Sequence, residues 1–188
     1  MPYDIGHAPC LADNRLSFGI CMPDIRRRAC LGDMVLGVSG ARILRGRLIH
    51  AFAVSAILGP EYYSAAQYAH RCDCLYAPGP DGRPVHKGAQ FSKHHLTEEH
   101  RQTDVGGNWQ NARVLLAEAE AFRYFGKTGT AEAFAAYPGL SAALPRLRRM
   151  RWRLTLREKP ALYREASALF AELIERFPPG VNGPPSEG

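Results

Sequence analysis

Leu162, Ala166, Leu169, Phe170, Leu173 and Phe177 recur at helical spacing, which predicts an amphipathic helix over residues 160–177. Pro178-Pro179-Gly180 stops it, and the remainder to residue 188 reads as a disordered tail. Upstream, apolar positions are grouped into short runs instead. Met34–Val38, closed by Ser39-Gly40, and Leu48–Ala56, entered through Gly46-Arg47 and ended by Gly59-Pro60, predict two neighbouring buried strands with an Arg-containing loop between them. Glu61–Arg71, rich in Tyr, Ala and Gln, predicts a short helix. Pro78, Gly79, Pro80, Gly82, Pro84 and Gly88 make residues 77–90 a long loop. Val114–Ala119 is a further apolar run, and Phe122-Arg123-Tyr124-Phe125-Gly126-Lys127 predicts a strand ending in a Gly turn.

Composition adds a bias in charge. At 188 residues the chain is long enough to bury a substantial core. Its net charge of +6 gives a surface that attracts polyanions, nucleic acid above all. A basic protein with no polyanion partner is the competing reading. The excess is densest over Leu140–Leu156, with Arg146, Arg148, Arg149, Arg151 and Arg153 followed by Arg157, either a footprint for nucleic acid backbone or a solvated helical face. Five cysteines without framework spacing, no charged leader with an apolar run behind it, and no apolar stretch near the ~20 residues of a membrane span predict a cytoplasmic chain with reduced thiols and no membrane.

Candidate chemistry concentrates in Cys21–Gly37. Pro23 limits the backbone beside Arg26, Arg27 and Arg28, and guanidinium forks match phosphate oxygens two at a time, so phosphate contact is expected, first at Arg26 and then at its neighbours, with a solvated turn as the alternative. Arginines near Cys21 favour its thiolate; with no general base beside it in sequence, a buried, unreactive thiol is the favoured alternative. Asp33 reads as a structural turn cap. His70, Cys72, Cys74, His86, His94, His95 and His100 invite a zinc reading, but Cys-x-Cys fits the usual ligand spacing poorly, and no metal or cofactor is expected. His94 and His95 are candidates for contact with substrate or nucleic acid and His100 for acid–base work, and nothing in the sequence ranks them. Trp109 and Tyr124, each among polar residues and Gly, are the preferred aromatics for stacking on a base. No phosphate-cradling Gly loop and no nucleophile elbow is recognised.

Several of these segments together form an ordered series. Asp4-Ile5-Gly6-His7-Ala8-Pro9 is followed by Cys21, Pro23, Ile25 and Arg26, then by Ala29, Gly32, Asp33 and Gly37, then by Arg47-Leu48-Ile49. Asp73 with Tyr76 comes next, and Phe122-x-Tyr124-Phe125-Gly126-Lys127 ends the series. In order and spacing these motifs resemble the second of the nucleotide modification associated domain families, over roughly residues 3–130. The Gly-Asp strand followed by a second buried strand is also similar, more weakly, to PUA-like barrels, including the EVE and ASCH groups. Family members carry a strand before the first motif, whereas this chain begins only three residues ahead of it. Either the start codon is placed too late or the barrel lacks its first strand, exposing two pairing edges.

The resemblance implies an α+β fold, with a small PUA-like β-barrel flanked by helices over residues 1–137; outside the resemblance, the residue pattern predicts a basic and amphipathic helical extension over 138–178 and a disordered tail over 179–188. The resemblance also implies a module that binds a nucleotide or modified base within a DNA-modification or defence system, with DNA or a nucleotide as ligand and modification enzymes as partners. Asp4, with Gly6 allowing close approach and Pro9 beyond, either holds a base edge or closes a structural Asx-turn. Cys21, Pro23, Arg26, Arg27, Trp109 and Tyr124 complete the expected binding set. The rivals are an enzyme acting on a nucleobase or nucleotide through Asp4, Cys21 or His95, and a protein-interaction adaptor.

Overall fold

The computed structural model describes residues 9–39, 47–88, 95–128, 132–147 and 157–184. Asp4, Gly6, His94 and the arginines from 148 to 153 lie outside them. In chain order the strands are β1 (Cys10–Ala12), β2 (Arg15–Phe18), β3 (Met34–Val38), β4 (Leu48–Ala53), β5 (Ala56–Leu58), β6 (Tyr76–Pro78), β7 (Pro84–His86), β8 (Val114–Ala117), β9 (Phe122–Tyr124) and β10 (Gly180–Val181). The helices are α1 (Pro23–Arg28), α2 (Glu98–Asp104), α3 (Pro138–Leu147) and α4 (Pro160–Arg176). Two units result: Asp4–Leu31 with Val54–Glu118, and Gly32–Ala53 with Ala119–Gly188 and Met1–Tyr3.

In the first unit an antiparallel sheet runs β1-β2-β8-β5, with Leu16 opposite Ala117 and Phe18 opposite Leu115. Val114 and Leu116 of β8 pack with Ile20, Tyr62, Tyr63, Leu75, Tyr76 of β6 and Val105 into one core, with Ala56 and Leu58 of β5 against it. Two buried polar side chains stitch the edge of that core. Arg71, fully buried, donates to the Ser17 hydroxyl and to the carbonyls of Ala12, Cys10 and Arg15. Asp73 accepts from the Ser17 hydroxyl, the Gly19 N–H and the Tyr62 hydroxyl. Each group is satisfied, which is what burial of a charge requires.

The second unit holds the sheet β10-β9-β4-β3 and the helices α3 and α4. β3 and β4 pair antiparallel, as their sequence patterns predict, with a register shift between Gly37 and Val38. Leu140 and Leu144 of α3 and Ala166, Leu169 and Leu173 of α4 share one core with Leu48 and Ala51 of β4. The expected helical extension is therefore part of the second unit's own core. Arg123 on β9 donates to the carbonyls of Ile174 and Phe177, closing the end of α4 where no intrahelical donor remains.

Several expectations need correction. The described residues form three sheets and no closed barrel. The apolar run Leu48–Ala56 is broken at Val54-Ser55: β4 and β5 belong to different sheets, and the Ser55 N–H bonds the Leu116 carbonyl. Glu61–Arg71 is two 3-10 turns, Pro60–Tyr63 and Ala66–Tyr68, separated by Ala65 in an extended conformation. The Pro- and Gly-rich segment holds the hairpin β6–β7, turned at Gly82 with φ +77° and with prolines at its two facing ends, Pro78 opposite Pro84. The tail does not begin disordered: β10 pairs in parallel with β9, and the Asn182 N–H bonds the Tyr124 carbonyl. Cys10 and Cys72 form a disulfide, so the expectation of reduced thiols fails at that pair. Among the described residues no helix is long and apolar enough to cross a membrane.

Candidate active site

β2 ends at Phe18, and α1 begins at Pro23, whose missing N–H is harmless at the first helical position. Cys21 sits in the four-residue turn between them. Both Cys21 and Met22 adopt left-handed backbone conformations, with φ of 55° and 42°. For residues with a Cβ this costs roughly 1–2 kcal/mol each and persists only where surrounding bonds enforce it. They do so here: the Cys21 N–H donates to Asp104 Oδ1 at 2.7 Å, and its carbonyl accepts from Arg26 Nε at 2.8 Å. One turn earlier, Gly19 is pinned by Asp73 Oδ2 on its N–H and by the Tyr63 hydroxyl on its carbonyl. A strand, a strained turn carrying a thiol, and a helix therefore follow one another within Arg15–Arg28.

That turn presents Cys21 Sγ at 3.7 Å from His95 Nε2. On the far side of the imidazole, His95 Nδ1 lies 2.6 Å from Asp104 Oδ2. The carboxylate accepts there, so Nδ1 carries the proton and Nε2 is left to accept from the thiol. Tyr76 donates its hydroxyl to the same oxygen at 2.9 Å. Asp104 closes α2, a helix started by Thr97, whose hydroxyl accepts the His100 N–H. Arg26 joins the parts from below: its guanidinium donates to the carbonyls of Cys21, Asp104, Asn111 and Arg113.

Electrostatics follow from this burial. Desolvation pushes the Asp104 carboxyl up, but the hydrogen bond and charge of His95, the Cys21 N–H and the Tyr76 hydroxyl outweigh it, so the carboxyl ionises below its usual range. The Tyr76 phenol is driven well above its usual range by burial and by the Asp104 charge, and stays a donor. A thiol, an imidazole and an ionised carboxylate in line are the arrangement by which a base activates a nucleophile and a third group orients the base.

Of the residues expected from sequence, Cys21 and His95 come together here. Pro23 starts α1, and Arg27 lies exposed, paired with Asp24 at 2.6 Å. Pro9 is buried. Arg26 is not a solvent-facing phosphate fork: it is 0% exposed, and its donors are taken by backbone carbonyls. Trp109 packs on Tyr63 and donates its indole N–H to the Gly82 carbonyl. Tyr124 is buried in the second unit, opposite His50 on β4, and offers no open face to a base. Cys72 is in its disulfide, and buried Cys74 accepts from Lys87 Nζ at 3.0 Å. His100 bonds the Thr97 hydroxyl through Nδ1.

The sequence reading missed Asp104 and the elbow. Gly19-Ile20-Cys21-Met22-Pro23 has the spacing of a Gly-x-nucleophile-x turn with proline in place of the second glycine, a signal that was available. Asp104 had none, since it lies 83 residues from Cys21. Among the described residues one set of donors lies close enough to hold a metal, Cys21, His95 and Asp104, with their atoms within 4.8 Å of one another. Both Asp104 oxygens already accept hydrogen bonds, so the set fits a hydrogen-bonded triad better than a coordination sphere.

The family model described as nucleotide modification associated domain 2 matches residues 1–134, which include Cys21, His95 and Asp104. No curated protein and no solved structure matches the chain.

Proposed function

We propose, from the premise that this chain belongs to the nucleotide modification associated domain 2 family, that it is an enzyme of nucleotide modification working through Cys21 as nucleophile. The observation that carries this reading is the line Cys21–His95–Asp104, with contacts of 3.7 and 2.6 Å. The binding-module reading placed phosphate on Arg26 and its neighbours and the base near Asp4 and Tyr124; Arg26 and Tyr124 are buried, and Asp4 lies outside the described residues.

The chemistry such a line performs is acyl transfer. His95 Nε2 takes the thiol proton, and the Cys21 sulfur attacks a carbonyl carbon of the substrate. The proton passes from His95 to the departing amine or alcohol, leaving a thioester on Cys21. A second acceptor, water or an amine, then gives its proton to His95 and takes the acyl group, restoring the thiol. Asp104 keeps Nδ1–H pointing inward and stabilises the imidazolium formed in each half. Arg26, touching no reacting atom, is a positioning residue. The substrate class in this reading is a nucleotide or nucleobase, free or in DNA, and the net charge of +6 draws such polyanions to the chain.

The test is acyl-enzyme formation with p-nitrophenyl acetate, read by mass spectrometry. The wild type should carry one acetyl group on Cys21, Cys21→Ser should carry none as a thioester, and His95→Ala should acquire it slowly. Acetylation spread evenly over the cysteines outside the disulfide would rule the reading out.

A further inference from the structure

Beside His95 lies a cavity of about 390 Å³, within the range of roughly 300–1,000 Å³ typical of small-molecule sites. It is formed by the hairpin strand β7 and the start of α2, and its wall includes Pro84, Val85, His86, His95 and Leu96. Three features of that wall are unusual together. Val85 and Leu96 are each 45% exposed, two of the four large hydrophobic side chains so exposed among the described residues. His86 Nε2 is buried without a hydrogen-bond partner. The charged groups at the wall are paired, Arg83 with Asp81 and Arg101 with Glu98, so the cavity carries no net charge from them.

The Gly88 N–H donates to His86 Nδ1 at 3.0 Å, so that nitrogen holds a lone pair. Burial first, and then the neighbouring His95, lower the His86 pKa, which keeps the ring neutral. The single proton of the neutral ring is therefore on Nε2, and this donor has nothing to donate to. A buried donor left unmet is an unfavourable arrangement that a ligand acceptor relieves.

We infer that this cavity is the substrate pocket for the Cys21 chemistry and that it takes a nucleobase bearing a carbonyl oxygen, which accepts from His86 Nε2–H, with the ring's faces against Val85 and Leu96. The inference rests on the reading of Cys21 as nucleophile in nucleotide modification. An uncharged, flat heterocycle with one strong acceptor matches two aliphatic surfaces, one donor and a charge-balanced wall. An anion or an ammonium would find no unpaired opposite charge there. His95 joins pocket and chemistry, lining the cavity while its Nε2 faces the thiol.

The experiment follows the Val85 and Leu96 methyl resonances of the full chain on addition of thymidine, deoxyguanosine, deoxyadenosine and a short oligothymidylate. Thymidine or the oligothymidylate should move both methyls, and whichever binds more tightly identifies a free or a strand-borne base. Deoxyadenosine, which lacks a carbonyl, should bind roughly tenfold more weakly, and His86→Phe should weaken thymidine by a similar factor. Leu96→Ser, at an exposed position, should fold normally and also weaken binding. Methyls unmoved by every probe would overturn the inference while leaving acetylation of Cys21 to stand or fall alone. Equal affinity in His86→Phe, or for deoxyadenosine and thymidine, would also overturn it.

Discussion

His95 Nδ1 stands 2.6 Å from Asp104 Oδ2, and neither side chain is more than 2% exposed. The pair fixes which imidazole nitrogen faces Cys21. Asp104→Asn keeps the shape but weakens the preference for the proton on Nδ1, and p-nitrophenyl acetate turnover should fall by about a hundredfold or more. Tyr76→Phe removes one donor from the same charged oxygen and should cost about 1.5–3 kcal/mol of stability.

The same carboxylate predicts an acid limit. Its folded pKa lies below the ordinary 3.8, so its contribution is fully present above 3.8 and is lost as pH falls through the folded value. Urea unfolding at pH 5 and pH 3 should show a loss in the wild type that is smaller in Asp104→Asn.

Arg26 is predicted to be structural. Arg26→Leu strips partners from carbonyls that include those of Cys21 and Asp104, and should destabilise the chain by about 3–5 kcal/mol. Arg26→Lys should recover only part, because an ammonium cannot reproduce the planar fork. Urea midpoints of the two variants decide it, and a wild-type midpoint for Arg26→Leu would count against this role.

His50 on β4 predicts a second, milder pH effect. It is buried, its Nδ1 has no hydrogen-bond partner, and desolvation lowers its pKa from 6.5 to about 4. The folded state thus binds fewer protons than the unfolded one between those values, and stability should fall as pH drops from 6.5 towards 4. The full effect is about 3 kcal/mol. Melting curves across that interval should be flatter in His50→Leu than in the wild type.

The Cys10–Cys72 disulfide closes 62 residues. Loop-closure entropy for that length predicts that reduction costs up to about 4 kcal/mol. Unfolding with and without dithiothreitol measures it, and the double variant Cys10→Ser, Cys72→Ser should be insensitive to the reductant.

How much of this was legible depended on whether the signal was local. The helix over 160–177 was, because its apolar stripe has helical period, and α4 follows it almost residue for residue. β3 and β4 were legible as neighbours because each is a short apolar run bounded by turn residues. The hairpin β6–β7 was hidden because its prolines, usually loop markers, sit opposite each other at its end. The triple arginine misled because the same residue type serves exposed phosphate contacts and buried carbonyl networks, and only tertiary burial separates Arg26 from Arg27. In the candidate site, Cys21 and His95 were named from their chemistry. Their juxtaposition, and Asp104 altogether, arise from pairing across 74 and 83 residues that no local pattern records.

The most direct test of the central claim is residue-resolved alkylation by iodoacetamide at neutral pH, with Cys30 as the internal standard. Cys30 is an exposed thiol outside the disulfide in the same chain, and Cys21 is only half-buried. An activated Cys21 should react faster than Cys30 despite its lower exposure, and His95→Ala should abolish the advantage. A Cys21 that reacts no faster than Cys30, and that does not respond to loss of His95, would contradict the account.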